Sequence, residues 1–409
     1  MCTMSIEIRT IKKKELTGFV RTIEAAFGSE MRASDIPTFE RKIDISRMHA
    51  AFDGDEVVGT AGVYPFRFTI PGNVVDAAGV TMVGVLPSHR RQGILRRMME
   101  TQMLDVRERG EHLAVLWASE ESIYQRFGYG FASAQGHIDV ERDRARFLDD
   151  PGPTGKVRMI SAEERLKVIP PLYERIRKDT PGMYERSNTW WEFHSLFDPE
   201  HMRHGASAFF SAVLEIDGKP EAYVVYRVRS KWADDATPRS TVEVHEALAT
   251  SPEATREIWR FVFGIDLVTR ITAYYLPVDW PVLLMVDEPR RLRFSLSESL
   301  WLRLVDVPSA LAQRSYASDE TIVLEVSDVF CPWNEGRWKL DTGSGRAERT
   351  DDEPDLRMKV NALACPYLGG FTFSELAGAG RVHEVTPGAL DRADHAFATG
   401  RAPWCPENF

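Results

Sequence analysis

Val80-Thr81-Met82-Val83-Gly84-Val85-Leu86-Pro87-Ser88-His89-Arg90-Arg91-Gln92-Gly93-Ile94-Leu95-Arg96-Arg97-Met98-Met99 changes its hydrophobic period part-way along. Val80 to Val85 is mostly apolar and β-branched, which reads as a buried strand. From Ile94 onward the apolar positions fall at helical spacing, Ile94 with Met98 and Leu95 with Met99 and Met103. Between the two, Pro87 to Gln92 carries His89, Arg90 and Arg91 in succession. A strand that turns through a basic, glycine-containing loop into a helix is suited to a phosphate. The first amides of the helix have no partner within it, its dipole favours negative charge, and Gly93 lets the backbone come close.

The spacing narrows the ligand. A Walker loop needs two glycines and a Gly-Lys-Ser/Thr ending, and a dinucleotide fold needs Gly-x-Gly-x-x-Gly; neither is present here. Arg90-x-x-Gly93 after a strand resembles the pyrophosphate loop of the GCN5-related N-acetyltransferases, with Leu95 where that pattern has a second small residue. Read by itself, the segment is equally a solvated basic turn.

A second segment adds to it. Leu113 to Ala118 reads as another buried strand, followed by Ser119-Glu120-Glu121-Ser122-Ile123-Tyr124-Gln125-Arg126-Phe127-Gly128-Tyr129-Gly130-Phe131. Ser119 is placed to cap a short helix, Glu120 and Glu121 suit its first turn, and Gly128 ends it. Alone, Tyr124 is a core aromatic with a satisfied hydroxyl. Beside the basic loop it becomes a site residue, since the same superfamily has a tyrosine here that reaches the thioester sulfur.

Composition sets bounds. A chain of 409 residues predicts two or three domains, and its apolar and charged fractions are those of a globular protein. A net charge of −10 argues against sequence-independent nucleic-acid binding and accommodates cationic substrates. The start, Met1 to Arg9, lacks an apolar signal region, and no run is long enough to span a bilayer. Cysteines at 2, 331, 365 and 405 show neither metal nor redox spacing, and the histidines are scattered. The expectation is a cytoplasmic protein with reduced thiols and no metal.

The order of elements predicts an α/β (α+β) chain in three parts. Residues 1–148 read β-α-β-β-β-α-β-α-β. Leu16, Phe19, Val20 and Ile23 form a helical face, and strands run from Met48 to Phe52, Val57 to Pro65 and Arg67 to Ile70 before a turn at Pro71-Gly72-Asn73. Asp149-Asp150-Pro151-Gly152-Pro153-Thr154-Gly155 is a breaker-rich linker. Residues 156–296 repeat the logic: a helix from Ala162 to Lys178, strands at 208–215, 222–229 and 241–249, then a helix from Pro252 to Phe263. Here Ala249-Thr250-Ser251-Pro252-Glu253 replaces the basic turn, with no glycine and no paired arginines, which predicts a catalytically silent copy. Residues 299–409 open with Leu300-Trp301-Leu302-Arg303-Leu304, contain the alternating Thr321 to Val326, and end with a helix near Gly388 to Phe397. Trp190-Trp191-Glu192-Phe193-His194 reads as a helix face in the core or at a subunit contact.

With these pieces in place, nearly the whole chain resembles the enhanced intracellular survival (Eis) family of actinobacterial acetyltransferases. The resemblance is carried by Pro87 to Arg96, Ala118 to Gly130, Leu300 to Arg303, Thr321 to Asp328 and a final phenylalanine. It implies two tandem GNAT-type domains followed by a sterol-carrier-protein-like α+β domain, assembled as a homo-hexamer. The implied activity is acetyl-CoA-dependent acetylation of primary amines on aminoglycoside-like or polyamine substrates. Leu95 fits this subgroup. By matching positions, Val83, Gly84 and Val85 would meet the pantetheine arm. Arg90, Arg91, Gln92, Gly93, Ile94, Leu95 and Arg96 would hold the pyrophosphate, and Ser119 and Glu120 would line the channel. Tyr124 would be the general acid and the terminal carboxylate of Phe409 the general base.

The implied chemistry is coherent, because an amine attacks only when neutral and its ammonium form titrates near ~10. Two departures concern the acceptor side. Asn408 precedes the final residue where one family member has an acidic one, with Glu407 one position further back, and Met82 stands where that relative has an aromatic residue. Glu30, Asp35 and Phe39 are candidate pocket residues, and equally surface or core. Two other readings stand beside the first: a protein-lysine acetyltransferase, and a non-catalytic acyl-CoA or lipid-binding sensor.

Overall fold

The structure, a computed structural model, describes residues 6–149 and 151–409. Cys2 and Asp150 therefore lie outside the described residues. The fold divides into two units. One comprises residues 1–133, 299–400 and 408–409, the other 134–298 and 401–407.

In chain order the first stretch gives β1 (Glu7–Thr10), α1 (Leu16–Phe27), α2 (Ile36–Lys42), β2 (Met48–Asp53), β3 (Glu56–Ile70), β4 (Asn73–Val85), α3 (Ile94–Glu108), β5 (Leu113–Trp117), α4 (Glu121–Tyr124) and β6 (Gly130–Phe131). The two strands expected at 57–65 and 67–70 are one. β3 runs straight through Pro65, which lies beyond the last β2 partner at Gly62, where β3 has only β4 beside it. A missing N–H is tolerated on such an edge. α1 turns Leu16, Phe19 and Val20 into a core with Met48, Ala50 and Phe52, and closes on Gly28 in the left-handed conformation.

The next stretch gives β7 (Ala134–Glu141), β8 (Lys156–Met159), α5 (Ala162–Arg177), α6 (Asn188–Trp190), β9 (Phe210–Ile216), β10 (Lys219–Arg229), β11 (Ser240–Ala249), α7 (Pro252–Phe263), β12 (Val268–Leu276) and β13 (Ser295–Glu298). They form one seven-stranded sheet in the order β13-β7-β12-β11-β10-β9-β8. β7 was expected to finish the first part. It instead pairs antiparallel with β12 and β13, so its alternating Ile138 and Val140 fill the second core.

The remainder gives β14 (Leu300–Leu304), α8 (Val307–Gln313), β15 (Thr321–Ser327), β16 (Gly336–Asp341), β17 (Arg346–Arg349), β18 (Leu356–Lys359), α9 (Val360–Leu363), α10 (Phe373–Gly378), β19 (Val382–Glu384) and α11 (Ala389–Phe397). Here the expected opening strand of the third part lies elsewhere. β14 inserts between β5 and β6, giving a first sheet in the order β1-β2-β3-β4-β5-β14-β6. All five of its residues are buried, which an isolated strand could not achieve at the edge of a small domain. The remaining five strands make a separate sheet, β17-β16-β15-β18-β19. Fully buried Arg303 on β14 pairs with Asp328, which also accepts from Asn334 Nδ2 at 2.9 Å, and so ties the first sheet to this third one.

Candidate active site

β4 and β5 run parallel only from Ala77–Leu113 to Gly79–Val115; beyond that they part. The splay is reinforced by a bulge. Between the pairs Thr81–Gly62 and Gly84–Thr60, β4 has one residue more than β3, and Met82 takes a φ of 55°. The displaced backbone is held by side chains: Thr60 Oγ1 donates to the Met82 carbonyl at 2.7 Å, and Gln102 Nε2 to the Gly62 carbonyl at 3.2 Å. Gly84 is required because α1 comes so close that a Cβ there would stand 2.8 Å from the Ala26 methyl.

The opening is a cleft of about 600 Å³. Its walls are Val83 to Val85 on one side and Ser119, Glu120 and Tyr124 on the other. Arg90, Arg91, Gly93, Ile94, Leu95 and Arg96 form its basic end. Gly93, with a φ of 77°, is the N-cap of α3 and offers no side chain to the helix. The first amides of α3 therefore lack a side-chain cap, at the positive end of a 15-residue helix. Arg91 has no hydrogen-bond or ion-pair partner among the described residues, and it is exposed. Uncapped amides beside an unengaged guanidinium fit a pyrophosphate.

Most of the expected site residues converge here. Gln92 does not line the cleft; its amide turns back toward the Ser88 carbonyl at 3.5 Å. Ser119 does not cap α4, whose N-cap is Glu120 without a side-chain bond. Ser119 instead lines the cleft together with Tyr124. Burial pushes the Tyr124 phenol up to about 12, only partly opposed by the neighbouring Ser119 hydroxyl. His89 also lines the cleft, and its ring contacts Ser88 and Asp53. Sequence reasoning missed Ala26 and Phe27, the cleft wall from α1; Gly84, a glycine in a β-rich run facing a helix end, was the available signal.

Phe409 is not part of the cleft wall. Its ring packs edge to face on Phe66 of β3, centroids 4.8 Å apart. Phe66 lies across Gly79, the last β4 residue paired with β5. Of the acceptor-side candidates, Phe39 is core, packed with Leu16 and Phe19, and Glu30 is exposed. Asp35 stands beside the Ser34 hydroxyl at 3.3 Å. Glu407 belongs to the second unit, where it is buried. Among the described residues no His, Cys, Asp and Glu side chains are grouped as for a metal, and no helix is long and apolar enough to cross a membrane.

A bulged, splayed parallel pair leading into an uncapped helix through a basic turn defines a GCN5-related N-acetyltransferase. Models of the acetyltransferase (GNAT) domain match residues 7–132 and 182–304, and one of the sterol carrier protein domain matches 307–406. N-acetyltransferase Eis of Mycobacterium bovis is 35% identical, aligned over 85% of this chain and 84% of its own. An uncharacterized N-acetyltransferase of Streptomyces avermitilis is 41% identical over 99% of this chain and all of its own. The crystal structure of Eis1 from Mycobacterium abscessus superposes with a TM-score of 0.86 at 32% identity, covering 98% of this chain and all of the other. The chain belongs to the Eis family of N-acetyltransferases. Enzymes of this class use acetyl-CoA and an amine-bearing acceptor.

Proposed function

We propose that this protein transfers acetyl from acetyl-CoA to primary amines of aminoglycoside-like or polyamine substrates. Tyr124 serves as acid-side donor and the terminal carboxylate of Phe409 as base. The observation that carries the reading is convergence on one cleft: the uncapped start of α3, the unengaged Arg91 and the buried phenol of Tyr124 all face it. Acetyl-CoA, when bound, supplies the activated acetyl group. Arg90, Arg91 and Arg96 with the amides of 94–96 would hold its pyrophosphate, and the 83–85 backbone its pantetheine arm.

Tyr124 Oη keeps its proton throughout the neutral range, because burial raises its pKa. A thiol of the CoA kind titrates near ~8.5, so this phenol acts at the sulfur chiefly as a hydrogen-bond donor rather than by complete proton release. A chain-terminal carboxylate, with a pKa of roughly 3.5, is ionised at neutral pH and attracts an ammonium. It orients that group and accepts its proton on the way to the neutral amine. The acidic overall charge suits a polycationic acceptor.

The test is free-thiol release from acetyl-CoA with a panel of aminoglycosides, polyamines and lysine peptides. Turnover on the first two classes well above the peptides is expected. Turnover on lysine peptides alone would move the acceptor to protein, and none on any amine would overturn the reading.

A further inference from the structure

The second unit repeats the architecture of the cleft but fills it with the chain's own tail. β11 and β12 run parallel from Ser240–Val268 to Val244–Ala273 and then part, as β4 and β5 do. The bulge is repeated too. Between Glu246–Val225 and Val244–Tyr226, β11 carries one extra residue, His245. At the helix that follows, the anion site is closed. Ser251 Oγ caps the Ala254 amide at 3.1 Å, Pro252 contributes no N–H, and Glu253 adds negative charge to the first turn.

The segment 401–407 seats itself at this splay. Trp404 Nε1 donates to the Tyr275 carbonyl at 2.6 Å, on the strand that has parted from β11, and the Trp404 amide donates to the Pro181 carbonyl at 2.8 Å. Gly182 closes over it: a Cβ there would lie 2.8 Å from the Trp404 carbonyl oxygen, and its φ is 97°. Arg401, Ala402 and Trp404 wall what remains of the cleft, about 250 Å³. Three residues on, Glu407 enters a buried polar cluster. Its Oε1 stands 2.6 Å from Arg186 Nε and accepts from Tyr184 Oη, Trp190 Nε1 and Ser195 Oγ at 2.7, 2.9 and 3.1 Å. Arg186 holds Glu246 with its other two nitrogens and is stacked against Tyr173 and Trp191. A buried ion pair adds little net stability against an apolar alternative, but removing one partner is costly, so it fixes register.

We infer that the second GNAT-type unit is a receptor for the chain's own tail, with Arg186 as the positioning residue that, through Glu407, sets where Asn408 and Phe409 emerge. Its positioning role rests on the reading of the Phe409 carboxylate as base. The receptor role stands on the contacts alone. A splay that in one unit admits an acyl carrier thus serves in the other to hold a catalyst's stem.

The test is release of Phe409 by carboxypeptidase from the full-length protein, followed by mass spectrometry, together with kcat and the KM for acetyl-CoA. Three variants act separately: Glu407→Gln and Trp404→Leu from the tail, and Gly182→Ala from the receptor. Melting temperatures select those that stay folded; Trp404 belongs to the buried apolar cluster with Tyr173 and Trp191, whereas Glu407→Gln leaves that apolar packing in place. Release about tenfold faster or more, with kcat reduced and the KM for acetyl-CoA unchanged, is the expected result. Release at the wild-type rate in the folded variants overturns the receptor. Fast release with kcat unchanged overturns the positioning role and the base assignment together, while leaving tail retention established.

Discussion

The Phe409 ring meets Phe66 of the first sheet edge to face, and Phe66 lies over Gly79 at the point where β4 and β5 part. Deleting Phe409 should lower kcat by roughly 10²–10⁴-fold, the usual contribution of a positioned base, with acetyl-CoA affinity unchanged by calorimetry. Phe66→Ala, which removes a ring contact worth about 1 kcal/mol, should cost kcat a few-fold only. Loss of acetyl-CoA binding on deletion would remove the catalytic assignment.

Tyr124 yields a pH prediction. Burial favours the protonated phenol, so the residue stays a donor until the pH approaches about 12. The pH profile of kcat should therefore show no alkaline fall near ~10 from an ordinary tyrosine. Tyr124→Phe should lower kcat by roughly 10²-fold or more with little change in acetyl-CoA affinity. An alkaline limb near the ordinary tyrosine range that vanishes in the Phe variant would show a solvated phenol instead.

The basic turn can be tested without catalysis. Arg91→Ala should weaken acetyl-CoA binding about tenfold at low ionic strength and flatten its salt dependence. Gly93→Ala forces an L side chain into a φ of 77°, a cost of about 1–2 kcal/mol, with no neighbour within 4 Å to clash. Its effect should appear in both the melting temperature and acetyl-CoA affinity. Unchanged affinity in both variants would place the pyrophosphate elsewhere.

Buried phenols make stability sensitive to alkali. Burial raises the pKa of Tyr64, Tyr129, Tyr173, Tyr184, Tyr223 and Tyr367. The folded chain holds these protons more tightly than the unfolded chain does. Their contribution is therefore complete below the unfolded value near ~10 and is lost as pH rises past it. Ultraviolet titration should show a group of phenols ionising together with loss of near-ultraviolet circular dichroism. Their ionisation one by one in a folded protein would contradict this.

Arg303→Leu should be among the most destabilising single changes, about 3–5 kcal/mol, because it strands the buried Asp328 carboxylate. Denaturant unfolding measures it. The double change Arg303→Leu with Asp328→Leu should recover part of the loss.

Much of the site was legible because its signals are local. The change from β-branched run to helical period at Gly93, and the strand-helix-glycine passage around Tyr124, place nearly all the cleft residues. What escaped was non-local. Leu300 to Leu304 reads as a buried strand, yet nothing in five apolar residues names the sheet that buries it. Ala134 to Glu141 alternates equally well for either sheet. Pro65 reads as a break because the pattern does not show that β3 outruns β2 there. The cluster around Arg186 was invisible since it joins three distant segments, Tyr184 to Trp190, Glu246 and Glu407, and Glu407 reads as an ordinary surface carboxylate.

The insertion of β14 has a consequence for biogenesis. β5 and β6 share no ladder with each other, since both pair with β14, so the catalytic sheet stays open until residue 304 has been made. A nascent chain that has emitted only its first 133 residues carries two unpaired edges beside the cleft, in a segment rich in aliphatic side chains. Synthesis must proceed through the whole second unit before that gap can close. The sheet that carries the cleft is thus completed by a long-range pairing, formed only after the intervening second unit has been made.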